Sequence, residues 1–474
     1  MRKRTVRVLT GVAVVVVVLG LSYTIAVAIS AAKLRRAYAA LEKDSRPMRA
    51  ADIVPPEVPD TENGALLFES AALLLKAEPV GHSLESRPGE SVAEAIYREK
   101  WKDLLGYLGR LSADFAQGTL APERLEELKE LFSQRAVDDA LFAIEEGTRR
   151  PTCRFQRNYD AGFGIAVPGL VDTRGLAWIV GAKARLEAET GAMDRAWHLA
   201  AVQAKLADAH RSEPILISQL VRAALINLSC DTVQRLCEIA PPGKEQQEPL
   251  ESMLRTFDDV APLVLAMDGD RLLSGEWLFT RPKKELYKMA MDDVVSEEGW
   301  MPEFIFGLRV RRLTFRPSFL ADHANYLRII HEGTRGLERS YSPETPEEDH
   351  GRFSLTGMLV PAVGRVRTIY CRMAAQTRIT RAGLALLGYR ATHGSFPPTL
   401  DAISLDGLSD PFVEGPLRYR AEGEGFILYS VGEDQKDDGG TPRSERRNAD
   451  PRKPRHTEYD IPWHFPGQVR PTAQ

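Results

Sequence analysis

Hydrophobic and polar positions fall into three textures along the chain. From Val8 to Ala32 no residue is charged, and Val14–Leu19 is an unbroken apolar run. From about Ala65 to Ser340, apolar residues recur at the three- and four-residue spacing of helices that bury one face. Beyond Gly394 the spacing shortens to strand-like runs.

The first texture predicts a membrane-spanning helix over 8–32. At 1.5 Å per residue it is about 37 Å long, enough to cross a hydrocarbon core of about 30 Å with some tilt. Residues 1–7 are the expected cytoplasmic N-terminus. Arg2, Lys3, Arg4 and Arg7 precede the span, against Lys33, Arg35 and Arg36 after it, which favours the N-terminus inside. The alternative is a cleaved signal peptide ending near Ala26-Val27-Ala28 or Ser30-Ala31-Ala32, but signal h-regions run about 7–15 residues. Residues 33–64 continue as a short juxtamembrane helix, then become an extended linker or stalk containing Pro47, Pro55, Pro56 and Pro59.

The second texture predicts an exported helical domain over 65–341. Leu66, Leu67, Ala71, Leu73, Leu74 and Leu75 mark a first helix, and further helices are expected over 92–117 and 122–147. Residues 174–211 read as a helical pair: Gly181, Ala184 and Ala188 line one face, Gly191 separates the two helices, and Asp194 starts the second. Pro214 opens a third helix. This pairing is similar to tetratricopeptide repeats, but no fixed period recurs, so a non-repetitive bundle is preferred. A basic-aromatic stretch (Phe304, Phe306, Arg309, Arg311, Arg312, Phe315, Arg316) reads as an arginine face opposite a phenylalanine-lined core face. Residues 342–354, rich in proline and acid, form the expected domain linker.

The third texture belongs to an α+β domain over 355–474. A long helix begins near Pro361 and ends at His393, with Gly394 beyond it and Pro397-Pro398 preventing continuation. Leu417–Arg420 and Phe426–Ser430 read as an antiparallel hairpin joined by a glycine-containing connection. The fold class is therefore mainly α: one N-terminal transmembrane helix, a helical bundle, and a C-terminal α+β module with a small antiparallel sheet.

Composition narrows the function. The chain has 474 residues, 43 % hydrophobic and 27 % charged, near the average for globular proteins. Its net charge is −4, and removing the seven basic side chains of residues 1–36 leaves −11 for the remainder, which argues against nucleic acid as a partner. Cys153, Cys230, Cys237 and Cys371 form no CxxC pair. Cys230 and Cys237 lie about 10 Å apart along a helix, too far for a disulfide. All four read as buried apolar residues.

In its last fifth the chain resembles a known family. Leu386–Arg390, His393–Pro397, Leu400, Asp410-Pro411-Phe412, Leu417–Tyr419, Leu428–Gly432 and Asp437–Gly440 follow the long helix in order. This order is similar to the globular domain of the major pseudopilins of type II secretion, over about 372–464. The resemblance implies a calcium site in the Asp434–Asp438 loop, with Asp434, Asp437 and Asp438 as ligands and Asp460 as a more distant contributor. Calcium takes several oxygen ligands near 2.4 Å, so these residue types suit it. The other reading is a solvated turn, with Arg443, Arg446 and Arg447 as alternative partners for the carboxylates. The chain departs from the family in its anchor, which has no acidic residue where pseudopilin assembly helices carry an essential glutamate.

No local motif nominates a catalytic residue. There is no HExxH, GxSxG, Walker loop or GxGxxG. His323 and His331 are about 12 Å apart along a helix, too far to share a metal. Glu347 and His350 have metal-like spacing but no matching second pair. Carboxylates at Asp292-Asp293 and Glu297-Glu298 read as surface charge. The expectation is a non-catalytic, membrane-anchored scaffold or interaction protein of the bacterial cytoplasmic membrane, with other envelope proteins as partners. The alternatives are a calcium-stabilised accessory component of a secretion or pilus-like system, and an exported enzyme of unassigned class.

Overall fold

In a computed structural model of the chain, the described residues are 2–77, 122–282, 284–286, 315–341, 355–360, 363–403, 405–441 and 460–466. The expected helix over 92–117, most of the basic-aromatic stretch, Glu347, His350 and the linker 342–354 lie outside them.

The N-terminal helix α1 runs unbroken from Arg2 to Lys43, 42 residues or about 63 Å. Its apolar half is bare: residues 9–25 are exposed on every side, and Ile29 is still 54 % exposed. From Leu9 to Ile29 the helix measures about 31 Å, close to the thickness of a hydrocarbon core. One helix long and apolar enough to cross a membrane is thus present near the N-terminus. Ser30 is buried, and Leu41 is 1 % exposed inside a hydrophobic core.

The helical body comprises α2 (Ala65–Ala77), α3 (Pro122–Phe132), α4 (Arg135–Arg149), α5 (Leu170–Glu189), α6 (Met193–Ala207), α7 (Leu216–Ile239) and α8 (Lys244–Phe257). α9 (Ala261–Gly269) runs on as wider π-turns over Asp270–Glu276 and ends at Trp277–Phe279. α10 (Arg316–Leu337), the short α11 (Leu355–Leu359) and α12 (Val363–His393) follow. The expected pair is α5 and α6, joined through Gly191 at φ +88°, where a residue without Cβ turns the chain without strain. Small residues bring these helices close: a Cβ on Gly181 would lie 2.5 Å from Gln203 Nε2, which itself donates to the Ala177 carbonyl. The single helix expected over 122–147 is two, because α3 closes at Ser133, whose hydroxyl donates to the Glu130 carbonyl at 2.7 Å.

The sheet has order β1 (Arg418–Glu422), β2 (Gly425–Ser430), β3 (Ile461–Phe465), antiparallel throughout. Every residue of β2 is buried, as a central strand covered by α12 should be. β3 pairs Pro462 with Tyr429, and proline is tolerated there because β3 is an edge strand. Trp463 packs against Gly383 of α12, where a Cβ would come within 1.9 Å of the indole ring.

Two features depart from the expected division. Residues 45–64 are no free stalk: Arg154 donates to the Pro55 carbonyl at 3.2 Å, buried Arg271 donates to the Pro47 carbonyl, and Ile53 and Asn63 are buried. The C-terminal elements also share one hydrophobic core with the bundle, which runs from Phe68 through Leu199 and Leu254 to Leu386 and Trp463. α12 packs along α7 and α8, and Arg378 pairs with Asp258 at 2.7 Å across that seam.

Candidate functional site

The resemblance pointed to the loop after β2. Positive φ at Gly432, Gln435, Gly439 and Gly440 folds it back on itself. Asp437 accepts from the Tyr429 hydroxyl at 2.7 Å and the Gly439 amide at 3.1 Å, and Arg418 lies 3.4 Å from its other oxygen. The Tyr429 hydroxyl bond, outweighing a small burial effect, holds the Asp437 carboxyl below the ordinary range. Asp460 is 3 % exposed and accepts from the Gly440 amide at 2.7 Å. Burial pushes its carboxyl up, opposed by the backbone N–H groups of Gly440 and Asp438 and reinforced by the charges of Asp438 and Asp437. Asp434 accepts from the Lys436 amide at 3.1 Å. One oxygen each of Asp434 and Asp460 is buried without a hydrogen-bond partner among the described residues.

Those two oxygens are what a cation would need, but calcium takes six to eight oxygen ligands. Among the described residues no three His, Cys, Asp or Glu side chains come together as a metal-holding group. Asp437, the best-placed carboxylate, is committed to a tyrosine, an amide and an arginine. Among the described residues the four aspartates form no cluster of three metal-holding side chains, and hydrogen bonds brace the loop. Arg418 is the cation beside Asp437 among the described residues; Arg443, Arg446 and Arg447 lie outside them. The neighbouring Asp410 has a clearer structural task. It is 4 % exposed and accepts from Ser430 Oγ at 2.8 Å and from the Val431 and Phe412 amides at 3.0 Å, tying the Asp-Pro-Phe turn to the end of β2.

The arrangement that sequence reading missed is the junction between α1 and the body. From Tyr23 onward α1 and the residues just after it run parallel to α10: Tyr23 meets Phe315 with ring centroids 5.5 Å apart, Tyr38 meets His323, and Asp44 meets His331. The Tyr38 hydroxyl donates to Glu276 at 3.0 Å, so the contact of His323 Nε2 with that oxygen, 3.4 Å, has the imidazole as donor. His323 stacks on Phe279 at 4.3 Å, and burial pushes its pKa down to about 4, so the ring is neutral. Burial, with Glu276 beside it, pushes the Tyr38 phenol well up. Arg271 is wholly buried and holds Glu276 and Asp268 as well as the Pro47 carbonyl, while Asp268 also pairs with Arg46. His331 donates to Asp44 at 2.8 Å, and that bond, with Arg335 nearby, holds the Asp44 carboxyl below its ordinary range. The available signal was the pair His323 and His331 facing one way on α10. They share a partner helix, not a metal.

A second buried network braces the bundle. His210, itself wholly buried under the stacked Phe155 ring, contacts Glu213 at 3.0 Å and Thr173 at 3.2 Å, and Arg157 lies 2.8 Å from the other Glu213 oxygen. Burial raises Glu213, but the His210 bond and the charges of His210 and Arg157 outweigh it, so its pKa is lowered. The order carboxylate–imidazole–hydroxyl imitates a catalytic relay. Thr173, however, is 1 % exposed and its hydroxyl donates to the Gly169 carbonyl at 2.9 Å, which leaves no reactive atom facing a substrate.

No family model, curated protein or solved structure matches the chain.

Proposed function

We propose that the protein is a non-catalytic scaffold of the bacterial cytoplasmic membrane, with its N-terminus inside and its helical body presented to other envelope proteins on the exported side. The observation that carries this reading is the continuity of α1, which leaves its bare apolar half and enters the core at Leu41 without a break. A flexible tether needs no such docking. A body held at a fixed height and rotation above the bilayer does. The basic residues Arg2, Lys3, Arg4 and Arg7 support the orientation. The C-terminal likeness to pseudopilins is read as one of shape, because the anchor lacks the acidic residue used in pilus assembly and α12 packs into the bundle.

The test is an anchor exchange read by photo-crosslinking in intact cells. Residues 1–29 are replaced by an unrelated single-span helix fused in register at Ser30, with crosslinkers on the exposed faces of α4 and α8. A scaffold that works through its body keeps its crosslinked partners. Their loss would show that the span itself assembles, as in a pilus-like system. An absence of discrete crosslinks in both proteins, or cleavage of the body only by a cytoplasmic protease, would overturn the proposal.

A further inference from the structure

A cavity of about 230 Å³ opens beside the start of α7. Met267, Leu273, Ile330 and Leu359 contribute to its walls, and Phe163 and Ile217, also lining it, are 55 % and 49 % exposed. The floor is built with care. Gly269 lies so close to the Pro214 carbonyl that a Cβ would approach it to 1.7 Å, and Gly275 leaves the space that the Tyr326 hydroxyl fills. That hydroxyl donates to the Asp270 carbonyl at 3.3 Å. The π-turns over Asp270–Glu276 therefore place Asp270 and Ser274 on the cavity side. Single π-turns inside helices are frequent at binding sites.

Among the described residues Asp270 is the only charged one lining this cavity. One carboxylate oxygen accepts from the Leu216 amide at 3.2 Å, capping α7 from outside that helix. The other has no hydrogen bond or ion pair among the described residues. The adjacent cation, Arg271, is turned away toward Glu276, Asp268 and Pro47. Capping needs only an acceptor, which a neutral Asn supplies as well. A carboxylate in an apolar wall is costly unless something cationic meets it, since burial disfavours the charged form. Burial does push Asp270 up, to about 6, against the pull of the Leu216 amide, the direction that a bound cation would reverse.

We propose that this cavity binds a small organic ammonium, a primary or secondary amine on an apolar chain or ring, whose N–H donates to the free oxygen of Asp270 while its hydrocarbon part lies against Met267, Leu273 and Ile330. The apolar walls exclude hydrated inorganic cations, which would surrender their water shell for a single carboxylate. Tyr326 and Ser274 supply further hydroxyls at the polar end of the site. The proposal is independent of the scaffold reading, because it concerns the body alone.

The experiment uses the full chain in lipid nanodiscs, with empty nanodiscs as the blank. Phenethylammonium is titrated calorimetrically at neutral pH, beside 2-phenylethanol and phenylpropionate. The expected result is saturable binding of the amine at one site, with the alcohol at least tenfold weaker and the carboxylate not bound. Asp270→Asn keeps the α7 cap and should melt within a few degrees of the natural protein while losing at least tenfold in amine affinity. Ile217→Trp, at the rim, should obstruct binding with Asp270 intact. Equal binding of amine and alcohol, an unaffected D270N variant, or no saturation by millimolar amine would each overturn the assignment.

Discussion

Truncating Leu41 asks whether the anchor is part of the fold or only attached to it. The side chain is 1 % exposed and packs in the core formed with Leu216, Leu327 and Ile330, twelve residues after Ile29, the last exposed large hydrophobic residue of α1. Leu→Ala in such a site removes buried hydrocarbon and leaves a cavity, a loss of about 3 kcal/mol within a range of about 2–5. The control is Leu21→Ala, whose side chain is 58 % exposed on the bare half of α1. The assay is hydrogen exchange of α10 amides in nanodiscs, because α10 is the surface on which α1 lies. If opening of the α1–α10 pair governs exchange, about 3 kcal/mol corresponds to exchange faster by roughly 100-fold in Leu41→Ala. Leu21→Ala should leave α10 unchanged. Equal exchange in the two variants would refute the reasoning, and α1 would then be a tether that touches the body without supporting it.

Four further outcomes are expected. Gly269→Ala drives a Cβ into the Pro214 carbonyl and should destabilise the protein by about 1–3 kcal/mol, measured as a lower melting temperature. Asp410→Ala strands the Ser430 hydroxyl and two buried amides, for a loss of about 3 kcal/mol or more in the same measurement, while the exposed control Asp401→Ala changes little. His323, lowered by burial from 6.5 to about 4, stays neutral in the fold while the unfolded chain takes up its proton, so stability falls as pH drops from 6.5 through 4, by roughly 3 kcal/mol in all. His323→Phe should show a shallower acid dependence over that interval in urea titrations at fixed pH. Chelation should leave the melting of the full chain unchanged at millimolar calcium, whereas a chelator-induced drop would restore the Asp434–Asp460 cation site.

What was legible in the sequence was local. The α5–Gly191–α6 pair, the long α12 ending at Gly394 with φ +80°, and the β1–β2 hairpin are each written in periodicity and turn residues within a short window. β3 escaped because Pro462 weakens the strand signal and its partner lies some thirty residues upstream. The strap 45–64 escaped for a related reason. Four prolines do make an extended path, but Arg154 and Arg271 come from distant elements to donate to carbonyls of that path. The candidate metal loop shows the converse: the acidic residues are where the resemblance placed them, yet the chemistry was decided by Tyr429 and Arg418, on the strands beside the loop. The cavity at Asp270 had no local signal, since a single aspartate among Gly, Leu and Ser residues reads as an ordinary helical surface.

The docking of α1 also changes what its apolar run means. A hydrophobic run specifies depth in the bilayer, but says nothing about rotation around the helix axis. Rotation is set here by the polar contacts beyond the span, where Tyr38, Asp44 and Arg46 each meet a different partner on the body. Residues in a helix are separated by about 100°, so inserting two alanines after Ser30 would turn the span by about 200° relative to those contacts and lift the body by only about 3 Å. The body has no cheap way to follow, because Glu276, His323 and His331 belong to α9 and α10, which are packed into the same core as Leu41. Such an insertion should therefore keep the core contacts beyond Ser30, give up the Tyr23–Phe315 contact, and change which side of the body faces a neighbour in the membrane. That separates orientation from stability, which deleting the anchor cannot do.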